Sequence, residues 1–243
     1  MNRSSFLKRC LAGGAALLAA SAKANVFTFA DLAFMARAKR AKQTIVPVNA
    51  LRLTAAGTQA FNGTDVQSSS GYVAIRDATG AIQIVTSGST FSVSSVGNFI
   101  ELWSCVSSSD AHESGLLTQL SIGENAITAV DATVATGLTY LDVYSNSLTS
   151  LNVANCSSLQ TLYCYTNSIT GLTVNVAALN DLDASGNALT QAQVDGVLVA
   201  LAAGAVNNGT ATLNGGTNAA PSAVGLAAKT TLEGRGWTVQ VTP

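Results

Sequence analysis

The sequence repeats itself between Leu117 and Thr190, and this repeat constrains the fold more than any other feature. Four units follow the pattern L-x-x-L-x-[I/V/C/A]-x-x-N-x-[I/L]-T, with start-to-start spacings of 21, 21 and 20 residues. They read LTQLSIGENAIT from Leu117, LTYLDVYSNSLT from Leu138, LQTLYCYTNSIT from Leu159 and LNDLDASGNALT from Leu179. A period of this length predicts one short strand per coil of a solenoid, because one coil alone cannot enclose its apolar side chains.

The fourth and ninth positions of the unit indicate how the coils are held together. The fourth position alternates along the strand with an apolar sixth position, so both point to the same inner side. The fourth-position residues are Leu120, Leu141, Leu162 and Leu182. The ninth position holds Asn125, Asn146, Asn167 and Asn187. Because the backbone of a buried turn needs hydrogen-bond partners, these amides are expected to form a ladder between coils.

This pattern resembles the leucine-rich-repeat family, in particular the short bacterial repeats of internalin-like surface proteins and their phage-derived relatives. The resemblance covers residues 117–190, less than a third of the chain. It implies a β-rich solenoid of about four coils of 20–21 residues. With it we expect a small β-rich N-terminal cap region over residues 45–116 and a C-terminal α/β cap over residues 191–243, since the ends of a solenoid must be covered.

The first 44 residues carry most of the positive charge. Arg3, Lys8 and Arg9 precede the apolar run CLAGGAALLAA, and an Ala-x-Ala site ends at Ala24. This predicts a signal peptide over residues 1–24; the alternative is an apolar N-terminal helix kept in the protein or used for assembly. Residues 25–44 predict a basic helix and linker. There are two interpretations of this helix: it attaches to an anionic surface or a larger assembly, or its basic end is simply solvated and leads into the linker.

The regions on either side of the repeat predict further elements. Before it, IVPVNALRL, GYVAIRD, AIQIVTS, TFSVSS and NFIELWS predict about five strands, with a hairpin turn at residues 77–80 and a polar loop over residues 107–115. After it, residues 191–205 predict a helix, NNGTATLNGG a short strand, residues 222–236 a second helix and WTVQVT a last strand. Trp237 is expected to plug this end.

The outward positions of the repeat strands predict a binding surface on the concave face. Tyrosine offers a large contact area, little entropy loss and a polar tip, and the carboxylates beside it supply acceptors. The predicted ligand-binding residues are Tyr140, Asp142, Tyr144, Thr161, Tyr163, Tyr165, Asp181 and Asp183. The alternative is cross-strand tyrosine pairing that only stabilises a solvated sheet. Four strands span about 14 Å, which suits a short glycan or a protein loop rather than a standard protein interface.

Charge and composition exclude several function classes. Between Arg76 and Lys229 there is no lysine or arginine, so this surface cannot neutralise phosphates and nucleic acid is not an expected partner. The single histidine, His112, is expected to be a solvated loop residue. No phosphate loop, nucleophile elbow or metal-ligand spacing appears, so we expect no catalytic residue, no metal and no cofactor. Cys156 and Cys164 are expected to be buried thiols rather than parts of a disulfide framework.

These features lead to two functional hypotheses. The first is an exported, secreted or cell-surface, non-enzymatic leucine-rich-repeat protein that recognises a protein loop or a glycan through its concave face. The second is a structural subunit of a larger assembly, such as a phage particle or a surface layer. In the second case the chain would self-assemble or form an array, its N-terminal segment would dock, and the repeat would be displayed. The native N-terminus distinguishes the two hypotheses.

Overall fold

The computed structural model describes residues 50–55, 61–79, 81–93, 99–107, 110–113 and 116–243. All of them belong to one compact unit, Pro47–Pro243. The predicted signal peptide and the predicted basic helix and linker lie outside the described residues. Among the described residues, no helix is long and apolar enough to cross a membrane.

The described chain contains sixteen strands and two helices. In chain order they are β1 (Leu51–Ala55), β2 (Phe61–Ser68), β3 (Tyr72–Asp77), β4 (Ile82–Thr86), β5 (Ser89–Val93), β6 (Phe99–Ser107), β7 (Asp110–Glu113), β8 (Leu117–Ser121), β9 (Ile127–Asp131), β10 (Tyr140–Asp142), β11 (Ser150–Asn152), β12 (Thr161–Tyr163), β13 (Gly171–Thr173), β14 (Asp181–Asp183), α1 (Gln191–Ala203), β15 (Thr210–Leu213), α2 (Ala223–Glu233) and β16 (Thr238–Val241).

The largest sheet has eight strands in the order β16-β15-β14-β12-β10-β8-β2-β5. The first strand of each repeat unit, β8, β10, β12 and β14, pairs in parallel with the next, and β15 and β16 continue the parallel run. At the other end β2 pairs antiparallel with β8, and β5 pairs antiparallel with β2. The repeat strands are therefore the middle of a mixed sheet that extends beyond them on both sides.

The inner face of this sheet is a column of leucines. Leu120 pairs with Leu141, Leu141 with Leu162 and Leu162 with Leu182, so the fourth position of every unit lies in register. All four side chains are fully buried, as are the sixth-position residues Ile122, Val143 and Cys164. The alternation that places them inward also sends their neighbours along the strand outward.

The asparagine ladder predicted from the ninth position is confirmed. Asn167 Oδ1 accepts from Leu148 N at 3.0 Å, and its Nδ2 donates to Val143 O at 3.0 Å and Cys164 O at 3.1 Å. Asn146 and Asn187 repeat this pattern one unit away in either direction. The ladder satisfies turn backbone that water cannot reach, which is why the residue type recurs.

The ladder continues beyond the repeat. Asn218 Oδ1 accepts from Leu189 N at 2.9 Å, and Asn125 Oδ1 accepts from Asn62 N at 2.6 Å in β2. The sequence pattern does not indicate either end, because Asn218 lies in the irregular segment NGGTN and Asn62 lies in an antiparallel strand.

A second sheet is antiparallel and contains six strands. Its order is β4-β3-β6-β1-β9, and β7 pairs with β6. The hairpin predicted at residues 77–80 is confirmed, since β3 pairs antiparallel with β4. Asp77 Oδ1 accepts from Thr79 N at 2.9 Å and from Ala81 N at 3.0 Å, which holds the turn. The third sheet is the parallel pair β11-β13.

The predicted fold class, a leucine-rich-repeat solenoid with separate caps, is wrong. The described chain forms three sheets, and two of them combine repeat residues with residues outside the repeat. In the first unit β9 pairs antiparallel with β1, not in parallel with the equivalent strands β11 and β13. The repeat pattern specifies how neighbouring units pair, and that pairing is present. It carries no information on what the first unit pairs with. In this protein both strands of the first unit have antiparallel partners: β2 pairs with β8, and β1 pairs with β9.

Two local predictions before the repeat are also wrong. The sequence predicts no strand over residues 61–68, yet FNGTDVQS forms β2. Gly63 is the misleading residue: a Cβ there would lie 1.9 Å from the Phe91 ring, so glycine allows the close approach of β5. The polar loop predicted over residues 107–115 is replaced by a strand, because Asp110–Glu113 forms β7 and extends β6 as a hairpin.

The elements predicted after the repeat are confirmed at Gln191–Ala203, Thr210–Leu213, Ala223–Glu233 and Thr238–Val241. Ser222, the residue just before α2, donates two hydrogen bonds to Asp195 on α1, from its backbone N at 2.9 Å and from its Oγ at 2.6 Å. Trp237 is buried and donates from Nε1 to Val206 O at 2.9 Å. The two strands extend the eight-stranded sheet, so this end is built by continuing the sheet.

Candidate functional site

The eight predicted ligand-binding residues lie together on the outer face of the eight-stranded sheet, the side opposite the leucine column. We call them the tyrosine–aspartate face: Tyr140, Asp142, Tyr144, Thr161, Tyr163, Tyr165, Asp181 and Asp183. In a first row Tyr140 pairs with Thr161 and Thr161 with Asp181. In a second row Asp142 pairs with Tyr163 and Tyr163 with Asp183. The strand pairing thus brings these residues together, whereas their role in binding stays a prediction.

Tyr144 and Tyr165 form a stacked pair just beyond the ends of β10 and β12. Their ring centroids are 5.0 Å apart and the rings are inclined by 18°. On its other side the Tyr144 ring covers Gly123, where an added Cβ would lie 2.0 Å from the ring. The position equivalent to Tyr165 in the next unit is Ser185, whose backbone oxygen accepts from Thr166 N at 2.9 Å. The stack therefore begins over a glycine and ends beside a serine.

Tyr140 and Tyr163 form a second aromatic pair, packed edge to face. Their centroids are 5.8 Å apart and their planes are inclined by 81°, a favourable arrangement for aromatic rings. The Tyr163 hydroxyl donates to Asp181 Oδ2 at 2.6 Å, and this bond raises the pKa of Tyr163. Burial raises the pKa of Tyr140 to about 12, and the nearby Asp142 charge adds to the effect. Both hydroxyls stay protonated at neutral pH.

Asp142 is the most buried carboxylate of the face, with 8% of its surface exposed. Its Oδ2 accepts from Ser121 Oγ at 3.1 Å, and Oδ1 accepts from Tyr144 N at 3.3 Å. Thr64 Oγ1 donates to Ser121 Oγ at 2.9 Å and so links β2 to this network. Burial raises the pKa of Asp142, because the hydrogen bonds offset only part of the lost hydration.

The charges on this face all have one sign. Asp65 and Glu124 lie beside the tyrosine–aspartate face and add to the negative charge of its three aspartates. Glu124 is the main cause of the raised pKa of Tyr144. Among the described residues, the basic side chains are engaged elsewhere. Arg52 and Arg76 pair with Glu101, Lys229 pairs with Glu233, and Arg235 donates to backbone oxygens of Ala202 and Val206. Within the described ranges, no basic side chain pairs with the carboxylates of this face.

The outer face is wider than the repeat strands alone. Residues of β2 and β15 continue both rows: Gln67 and Asp65 on one side, Thr210 and Thr212 on the other. Eight strands at about 4.8 Å spacing span about 34 Å, where the repeat strands alone span about 14 Å. With about 15 Å along the strands the area is roughly 500 Å², still below the ~800 Å² per partner of a standard protein interface.

Sequence reasoning missed the contribution of β2 to the face. Thr64 Oγ1 donates to Ser121 Oγ. Asp65 and Gln67 lie opposite Ser121 and Gln119 in the sheet, and Asp65 Oδ2 accepts from Gln67 Nε2 at 3.1 Å. The buried residues of this strand are Phe61, Gly63, Val66 and Ser68, with a register shift between Gly63 and Val66. This pattern is hard to see in the sequence, because Asn, Gly, Asp and Ser in a short run are typical of a turn.

Other sequence candidates do not join the face. His112 lies in β7, and its side chain lies outside the described part of the chain. Cys156 and Cys164 are free, buried thiols, as predicted, and burial raises the pKa of Cys156 to about 11 and raises that of Cys164 as well. Within the described ranges, no three His, Cys, Asp or Glu side chains are grouped to hold a metal ion. Comparison with protein-family models, curated proteins and solved structures found no match for this chain.

Proposed function

We propose that this chain is a non-enzymatic recognition protein that binds a protein loop or a glycan through the tyrosine–aspartate face. The observation that carries the proposal is the joint placement of four tyrosines and three aspartates on one side of three neighbouring strands, β10, β12 and β14. The remaining tyrosine of the chain, Tyr72, lies in the other sheet.

The chemistry of the side chains supports recognition. A tyrosine ring contributes a large contact area with only two side-chain torsions to fix, and its hydroxyl can both donate and accept. The four rings are partly exposed and are already held in place by their pairwise contacts, so little ordering remains for the binding step. A preformed, partly apolar surface with acceptors around it suits the apolar faces and hydroxyl groups of a sugar, or the side chains of a loop.

The ionisation states of the face favour binding over catalysis. The raised pKa values of Tyr140 and Tyr163 keep both hydroxyls protonated at neutral pH, so neither is present as a phenolate nucleophile. The thiols of Cys156 and Cys164 are buried in the core. We place the protein outside the cell or on its surface, on the basis of the signal peptide predicted for residues 1–24.

The proposal is tested by binding of the full chain to a glycan array and to a panel of cell-surface proteins. Tyr144→Ala and Tyr163→Ala each remove one ring from a different aromatic pair, and we expect binding of the selected ligand to fall at least about tenfold, the usual range for a central aromatic contact. Tyr72→Ala is the matched control, because it makes the same change in the other sheet. Unchanged binding in both face variants would overturn the proposal.

A further inference from the structure

Building on the proposed function, we propose that the ligand is a positively charged segment of a partner protein. Its lysine or arginine side chain would lie on the Tyr165 ring face that points towards Ser185, close to the Asp183 carboxylate. Four features from different parts of the face support this assignment, and each restricts the ligand in its own way.

The first feature is the open side of the aromatic stack. Tyr144 is covered by Gly123 on one side and by Tyr165 on the other, so both of its ring faces are occupied. Tyr165 has Tyr144 on one side only, and on the other side the equivalent position is Ser185, which is too small to cover the ring. Tyr165 is partly exposed, and among the described residues no second aromatic ring stacks on it. A flat guanidinium or an ammonium group binds favourably on the face of an aromatic ring.

The second feature is the Asp183 carboxylate, which lies next to this position. Asp183 pairs with Tyr163 in the sheet and precedes Ser185 by two residues. Its Oδ1 accepts from Ser185 N at 2.9 Å, and within the described part of the chain no hydrogen bond reaches Oδ2. Asp183 is partly exposed. A cation on Tyr165 would thus have an acceptor within reach that needs no rearrangement of the protein.

The third feature is the sign of the charge. Asp142, Asp181 and Asp183 belong to the face, Asp65 and Glu124 flank it, and the described lysines and arginines are all engaged elsewhere. Burial is the first cause of the raised pKa of Tyr165, and the charges of Asp142, Asp183 and Glu124 add to it. A negatively charged ligand would be repelled, a neutral sugar would gain nothing from this field, and a cationic segment would be attracted to it.

The fourth feature is an incompletely satisfied carboxylate at the edge of the face. Among the described residues, Asp65 Oδ1 is the one buried side-chain oxygen or nitrogen without a hydrogen-bond partner. It lies on β2 opposite Ser121, next to the network of Asp142. This carboxylate lies at the β2 edge of the face, four strands from Asp183 on β14, so it would help to attract a cationic segment to the face without touching the proposed cation.

The test uses the full chain and a fluorescein-labelled hexalysine peptide, followed by fluorescence anisotropy. We expect Asp183→Asn and Tyr165→Leu each to weaken binding roughly tenfold, and Tyr165→Phe to bind like the wild type because the ring face is kept. Asp131→Asn, which removes one carboxylate from β9 in the other sheet, is the matched control and is expected to bind like the wild type. Raising NaCl from about 20 mM to about 200 mM should weaken wild-type binding and affect Asp183→Asn less.

Two results would overturn the inference. One is hexalysine binding that Asp183→Asn and Asp131→Asn weaken equally, which would mean general attraction to an acidic protein. The other is no hexalysine binding at all. If in that case a neutral glycan binds and Tyr144→Ala abolishes its binding, the ligand is a sugar and the proposed function still stands. If hexalysine, the array glycans and the panel of cell-surface proteins all fail to bind, the proposed function fails together with this inference.

Discussion

The two faces of the repeat strands are built under different physical constraints. On the inner face Leu141 and Leu162 are fully buried and in register, so packing decides the residue type. On the outer face the same sheet tolerates ordinary polar residues, since β15 carries Thr210 and Thr212 in the rows that hold Asp181 and Asp183 on β14. The fold therefore does not require tyrosine and aspartate there. The four tyrosines of this face are concentrated on β10 and β12 and the residues just after them, and we propose that they serve binding rather than folding.

The largest expected effect lies on the inner face. Leu162→Ala removes the central residue of the leucine column, whose neighbours on both sides are also fully buried. The cavity left behind should lower the free energy of unfolding by about 3 kcal/mol, measured by urea denaturation. Leu226→Ala is the control, since that side chain is 49% exposed and its loss should change stability by less than about 0.5 kcal/mol. Equal effects of the two changes would refute the packed column.

The asparagine ladder should come second. Asn187→Ala leaves Ile169 N without the acceptor that it now has at 3.0 Å, and it removes one of the two amide donors to Cys164 O, since Asn167 Nδ2 remains. A buried backbone N–H left unpaired should lower the free energy of unfolding by about 2 kcal/mol in the same measurement. Asn180→Ala, at an exposed position, is the matched control and should be close to neutral. A neutral Asn187→Ala would show that water replaces the amide.

Gly123→Ala probes the outer face without removing any of its side chains. The added methyl would lie 2.0 Å from the Tyr144 ring, so the ring must swing away and the stack with Tyr165 must loosen. We expect near-ultraviolet circular dichroism to change and ligand binding to fall several-fold, while the free energy of unfolding changes by less than about 1 kcal/mol. Wild-type binding together with a changed spectrum would exclude the stacked pair from the binding surface.

The smallest effect concerns pH. Burial raises the pKa of Asp142 above its ordinary value of 3.8 in the folded protein, so folding favours the protonated form. The stabilisation from protonation is fully present below that unfolded value and is lost as pH rises through the folded pKa. Relative to Asp142→Asn, the wild type should therefore gain thermal stability as pH falls from neutral to below 3.8. A parallel pH dependence of the two proteins would show that Asp142 is not desolvated.

The sequence allows prediction of local or repeated interactions and fails for long-range strand pairings that occur once. The register of Leu120 with Leu141 and the amide bonds of Asn146 follow from a pattern that each unit restates, so the sequence contains four copies of the same evidence. The pairing of β2 with β8 has no second copy, and Gly63 and Asn62 make β2 look like a turn. The predicted fold class is wrong because these single pairings decide how the sheet continues.

The placement of the candidate site is predictable for the same reason. Outward positions follow from the alternation around each inward leucine, so the repeat pattern alone is enough to put Tyr140 and Tyr163 on one face. The order of the aromatic contacts is not predictable in this way. Tyr144 stacks on Tyr165 while Tyr163 turns towards Asp181, and this choice depends on Gly123 and on a hydrogen bond across strands. Side-chain directions of this kind are set by neighbours that sequence spacing does not specify.

The most direct test gives the outer face of β12 and β14 the residues that β15 already carries. In the double variant Tyr163→Thr with Asp183→Thr, the second row would match Thr212 in type, and both binding and urea unfolding are measured on the same preparation. The account predicts that the free energy of unfolding changes by about 1 kcal/mol or less, whereas binding of the best ligand among hexalysine and the array glycans falls more than about tenfold. Loss of folding together with unchanged binding per folded molecule would contradict it.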